Sequence, residues 1–176
     1  MLSRILLVCL SLSVNSAASS LSCRWITAGK FKQHSEKYLE LLDTMVSLCS
    51  QSLDDVHWRT LLYSAEDKLA FTAQVLKEMS VLFEEDHSSA SWEENTVENF
   101  VNVVTQQADE LRSCVSLSKK NKKLHMYFQR LSSHFLKKMG HSAEAWELIR
   151  EEVKFHLERL YLLVTSATRT NQDPSH

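Results

Sequence analysis

Three stretches of this chain have residue types and spacings that could carry chemistry. Gly140-His141-Ser142-Ala143-Glu144 begins like the Gly-x-Ser-x-Gly turn that presents a serine nucleophile. It lacks the second glycine, and that turn must follow a strand, whereas an amphipathic helical pattern precedes it here. Its residues suit a helix stop and a helix start instead. Glu84 and His87 make one Glu-x-x-His, half of the set that holds a di-iron centre. Such a centre needs two of these pairs and two further carboxylates, and the sequence has no second pair. His125, His134 and His156 show no metal-ligand spacing. The third stretch, SKKNKK at 118–123, is basic, and suits a solvated loop or contact with an acidic surface. None of this supports catalysis. The chain reads as a non-enzyme without a cofactor or bound metal.

The elements that must position these residues are helices. The 176 residues include two glycines and one proline, too few for the turns of a β or α/β fold. A hydrophobic content of 44% fills the core of one domain. The net charge of −2 argues for neither nucleic-acid nor membrane binding. At the N-terminus, Arg4 precedes a short apolar run ending at Leu12, and Ser16-Ala17-Ala18 follow as a small-residue cleavage site. This is the layout of a signal peptide, 1–22, cut between about 18 and 22, and its apolar run is too short to span a bilayer. A helical domain over 23–165 and a flexible polar tail over 166–176 are expected, in a secreted chain that does not insert into membranes. Cys9 leaves with the signal. Cys23, Cys49 and Cys114 remain, an odd number in an oxidising compartment, so one pair and one leftover is the simplest outcome. A partly buried thiol, a covalent homodimer and an alternative pairing are all open to Cys49.

Five amphipathic segments follow. The spacing predicts helices over about 31–48 (Tyr38, Leu41, Met45, Leu48), 65–83 (Leu69, Thr72, Leu76, Met79, Phe83), 92–114 (Val97, Val101, Val104, Ala108, Leu111), 124–139 (Leu124, Phe128, Leu131, Phe135) and 143–164. Ser64 with Asp67 and Ser91 with Glu94 have capping-box spacing. Gly140 suits a left-handed stop, and Ser142 an N-cap. Short links make the second and third helices, and the fourth and fifth, antiparallel neighbours. The 49–64 connection can stretch to about 50 Å, against about 27 Å for the first helix, so it can cross back along a bundle. If Cys23 pairs with Cys114, the end of the third helix must lie beside the start of the first. That favours two parallel helices followed by one running back: an all-α, five-helix, cytokine-type bundle with up-up-down-down connectivity.

The last helix carries two apolar lines. At about 100° per residue, Ile149, Val153, Leu157, Leu160 and Val164 share the side of Trp146, an ordinary core stripe. Leu148, Phe155 and Leu162 recur every seven residues on the opposite side, among Glu151, Glu152, Glu158 and Arg159. Either the 49–64 connection covers this second line, or it is an exposed face awaiting a partner, with Phe155 as its aromatic anchor.

YFQR at 127–130 and AWELIR at 145–150, with CRW at 23–25, EDKLAF at 66–71 and LRSC at 111–114, resemble the type I interferons of fish over nearly the whole mature chain. The resemblance implies a secreted, monomeric antiviral cytokine with the interferon-type bundle. Such a cytokine binds a heterodimeric class II cytokine receptor, two different chains, and activates JAK–STAT signalling to induce interferon-stimulated genes. Phe128 and Trp146 match the motif as core residues. The candidate receptor-binding residues are Leu148, Arg150, Glu151, Phe155, Glu158, Arg159 and Leu162. Many members bridge the end of the first helix to the residue before AWE, a position held here by Glu144. The chain therefore resembles the two-cysteine group, which implies a Cys23–Cys114 disulfide and an unpaired Cys49. The short 49–64 connection lacks a Phe-Pro pair often found there, which raises a second reading, a receptor-binding antagonist or weakly active isoform.

Overall fold

Helix ends are set where side chains and glycines can satisfy the free backbone groups. The computed structural model describes residues 24–27, 29–45, 64–115 and 120–169. Along them run α1 (Arg24–Thr27), α2 (Lys30–Thr44), α3 (Ala65–Leu82), α4 (Glu94–Ser113), α5 (Lys122–Arg130, continued by a π-helical turn, Leu131–Leu136) and α6 (Ala143–Arg169). The described residues contain no strand, and the fold is all-α as expected. Ser64 caps α3 by accepting the Asp67 amide at 3.0 Å. The reciprocal half of the box does not form: the short Asp67 carboxylate instead accepts the Ser64 hydroxyl at 2.7 Å. Gly140 adopts φ +62°, and the His141 amide reaches the Leu136 carbonyl at 2.9 Å, closing the end of α5 with a left-handed cap. Ser142 then opens α6 by accepting the Ala145 amide.

Several expected boundaries move. The Ser91–Glu94 box is absent: Glu93 is the N-cap of α4, without a side-chain cap bond. Trp92 is drawn out of the helix into an aromatic cluster, 5.9 Å from Phe83 and 5.8 Å from Trp146 between ring centroids. α5 starts at Lys122 because Asn121 accepts the Leu124 amide. α6 continues past the expected helix end at 164 as far as Arg169, held by buried Ala167 and by the Lys68 ammonium donating to Ser166 Oγ at 3.0 Å. α2 ends at Thr44, and Leu48 and Cys49 lie outside the described residues.

Long-range pairs give the helix directions. α6 runs against α2, with Tyr161 stacked on Phe31 and Arg150 bonded to Leu42. It also runs against α3, with Lys68 on Ser166 and Trp146 on Phe83. α5 runs with α3, since Asn121, His125 and Ser132 meet Gln74, Glu78 and Glu85 in turn. The core closes around Trp146, fully buried and packed on Phe83, Trp92 and His87, with its indole N–H donating to the Asp86 carbonyl at 3.0 Å. Phe128 is also buried. A second buried network joins α2 to α4. Gln107 donates to the Phe31 carbonyl and Ser35 Oγ, and the Tyr38 hydroxyl donates to Ser35. Burial pushes the Tyr38 phenol up to about 12.

Replacing Trp146 with alanine removes the centre of this cluster and strands the Asp86 carbonyl. Chemical denaturation of Trp146→Ala is expected to show a loss of roughly 3–5 kcal/mol; a loss under about 1 kcal/mol would mean that the cluster does not carry the bundle.

Candidate functional site

α6 needs one face to close the core. Ala145, Trp146, Ile149, Val153, Leu157, Leu160 and Val164 are all buried, which fixes the helix's rotation. Leu148, Phe155 and Leu162 are then carried to the other side. They do not share one environment: Leu148 is half-buried, whereas Phe155 is 43% and Leu162 67% exposed. The Arg159 guanidinium lies over the Phe155 ring, 4.4 Å from its centroid, a cation–π contact at the surface. Glu158 and Arg159 are exposed beside it, and Glu151 is partly so. The result is an aromatic anchor with an aliphatic neighbour and a charged rim. Such a surface suits protein contact better than small-molecule chemistry. Among the described residues no cluster of His, Cys, Asp and Glu could hold a metal.

Arg150 belongs to a different layer. It stood among the candidate contact residues, but only 3% of it is exposed. Its Nε and Nη2 donate to Glu147 Oε1 at 2.8 and 2.6 Å, Nη1 donates to the Leu42 carbonyl at 3.0 Å, and Nη2 also reaches Glu151. Leu42 lies in the last turn of α2, where carbonyls lack helical donors and a cation suits the helix dipole. Burial pulls the guanidinium down, but Glu147 and Glu151 outweigh it and hold its pKa above the ordinary value. The Lys154 ammonium adds a bond to Asp43 at 2.5 Å. Arg150 thus ties α6 to the end of α2 and holds Glu151 in place, rather than facing outward.

Glu152 departs from the expected rim in the same way. It is buried and accepts a hydrogen bond from the Tyr127 hydroxyl at 2.7 Å, with His156 Nε2 2.8 Å away. Burial alone would raise the Glu152 carboxyl, but the bonds from His156 and Tyr127 prevail and hold it below the usual carboxylate range. Burial, then the Glu152 carboxylate, drive the Tyr127 phenol well above its ordinary value. Sequence reading missed this pin between α5 and α6. The four-residue spacing of Glu152 and His156 was its one visible signal. Of the cysteines, Cys114 caps α4 and is half-buried, whereas Cys23 and Cys49 lie outside the described residues.

The chain has well-defined relatives. The interferon alpha/beta domain family matches residues 28–167. Interferon a3 of Oncorhynchus mykiss is 36% identical over 148 residues, covering 80% of this chain and 84% of that protein. Interferon alpha-1/2 of Canis lupus familiaris is 33% identical over 81 residues, covering 41% and 43% of the two chains. The solved structure of zebrafish interferon 1 aligns with a TM-score of 0.71 at 29% identity, over 82% of this chain and 99% of that one.

The two layers of α6 respond differently to truncation. Arg150→Ala leaves Glu147 buried without its cation and is expected to cost about 3–5 kcal/mol in denaturation, the range for breaking a buried pair. Phe155→Ala, at a half-open surface, is expected to change stability by less than about 1 kcal/mol. The reverse order would place Phe155 in the core and Arg150 on the surface.

Proposed function

The chain belongs to the interferon alpha/beta family and is an interferon cytokine, not an enzyme; from that premise we propose that it is a secreted antiviral signal that joins two different chains of a class II cytokine receptor and activates JAK–STAT signalling. The observation that carries the receptor reading is the exposed Phe155–Leu162 line, with Arg159 over the Phe155 ring, on a helix whose other face is wholly committed to the core. An exposed aromatic within a charged rim is the usual form of an interface hot spot. The rim charges, Glu158 and Arg159, would act more on association rate and partner choice than on affinity. Leu148 and Glu151 form the inner edge of this face. Arg150 acts beneath it by holding α2.

Secretion is supported by the signal-peptide layout of residues 1–22. No described helix is long and apolar enough to cross a membrane. The proposed connectivity is up-up-down-down for α2, α3, α4 and α6, supported by the opposed directions of α6 to α2 and α3. The proposed disulfide is Cys23–Cys114, with Cys49 unpaired. Its support is the Gln107–Phe31 contact, which sets α4 beside the start of α2. Cys114 lies seven residues beyond Gln107, about 10 Å further along the helix.

Two measurements test this reading. Purified protein added to fish cells carrying an interferon-stimulated reporter is expected to induce it; receptor binding without induction would contradict the signalling role. Peptide mapping after alkylation without reduction is expected to yield one Cys23–Cys114 linked peptide and alkylated Cys49. A Cys23–Cys49 link would overturn the pairing.

A further inference from the structure

Charge is unevenly distributed along the chain. Eight of the 20 Lys and Arg residues fall between Leu111 and Ala143, and none of the 22 Asp and Glu residues does. The remainder therefore carries 12 cations against 22 anions, and the near-neutral total hides a basic module. That module is α5 and its flanks. Lys122, Lys123, Arg130, Lys137 and Lys138 are all exposed, and none forms an ion pair among the described residues. Lys123 and Arg130, seven residues apart on the α-helical part, return to one side of it, and Lys137 and Lys138 follow the π-helical turn. Lys122 to Arg130 alone span about 12 Å at 1.5 Å per residue.

The acids nearest this helix are used on its inner flanks. Glu78 takes Lys120 and His125, Glu85 takes Ser132 and His141, and Glu152 takes Tyr127 and His156. They anchor α5 while leaving its outer cations uncompensated. This face also differs from that of α6. Its one large exposed apolar side chain is Met126, it has no exposed aromatic, and four of its five cations are lysine. Lysine is depleted from protein interfaces, which rely on desolvated aromatic and arginine anchors. A row of mobile ammonium groups suits a flexible, highly charged chain held by point charges.

We propose that the outer face of α5 binds a linear sulfated glycosaminoglycan, so that the secreted protein is retained at cell surfaces and matrix while the α6 face stays free. This rests on the extracellular location proposed above. The probe is immobilised heparin in 0.15 M NaCl, with the full secreted chain purified without reduction. The chain is expected to bind despite its net negative charge. A variant carrying Lys123→Ala, Arg130→Ala and Lys137→Ala is expected to bind on the order of 100-fold more weakly, at about fivefold for each cation near an anionic surface. A control carrying Lys30→Ala, Lys32→Ala and Lys37→Ala on α2 makes the same charge change and is expected to stay within about twofold of the parent, since those residues lie off the α5 face. Absence of parental binding, or equal loss in both triple variants, would overturn the proposal. So would binding to phosphatidylserine vesicles without binding to heparin, which would assign the face to a membrane surface. Unchanged heparin binding by the α5 variant, with lost signalling on glycosaminoglycan-deficient cells, would assign it to a receptor chain. Heparin binding needs no receptor, so its failure leaves the signalling reading standing, and failed signalling leaves the heparin result readable.

Discussion

The burial of one face of α6 is the constraint on which the rest of the structure depends. Trp146 sits at the first turn of that face, where it gathers Phe83, Trp92 and His87 and donates to the Asp86 carbonyl. Once Trp146, Val153, Leu157 and Val164 are committed to the core, the rotation of the helix is fixed. Whatever is encoded half a turn away must then face outward. Phe155 and Leu162 are surface residues because their neighbours are core residues.

The same helix carries a second tier that adjusts this division. Arg150 and Glu152 lie between the two faces, and both turn inward to satisfy polar groups on other helices. Arg150 reaches a carbonyl in the last turn of α2, and Glu152 meets the Tyr127 hydroxyl of α5. Buried charges of this kind contribute little net stability when fully paired, but breaking one is costly, so they favour one register of packing over its alternatives. Here they fix α2 and α5 to the helix that bears the candidate contact face. The geometry of that face is thereby tied to the bundle.

Features set by local sequence were legible in advance. The core stripe of α6, the stop at Gly140 and the cap at Ser142 depend on residues within a few positions of one another. Ser64 was legible as a cap, although Asp67 proved too short to complete the box. Features set by distant partners were not. Arg150 read as a candidate contact residue because its acceptor, Leu42, is 108 residues away. Glu152 read as part of the rim because Tyr127 lies on another helix, 25 residues back. The start of α4 was misplaced because Trp92 is held by tertiary aromatic contacts rather than by Ser91. The π-helical turn at Leu131–Leu136 had no signature in the amphipathic spacing. The second apolar line was visible as a line, but its division into half-buried Leu148 and exposed Phe155 and Leu162 required the neighbouring helices.

A structural role and a binding role for Phe155 separate cleanly when affinity is measured per folded molecule. The decisive measurement is equilibrium binding of Phe155→Ala to the receptor ectodomains, alongside the parent protein and corrected for the folded fraction. Loss of the anchor is expected to weaken binding by about 1–3 kcal/mol, roughly 5- to 150-fold. Unchanged affinity per folded molecule would contradict the account and leave the second line of α6 without a part in recognition.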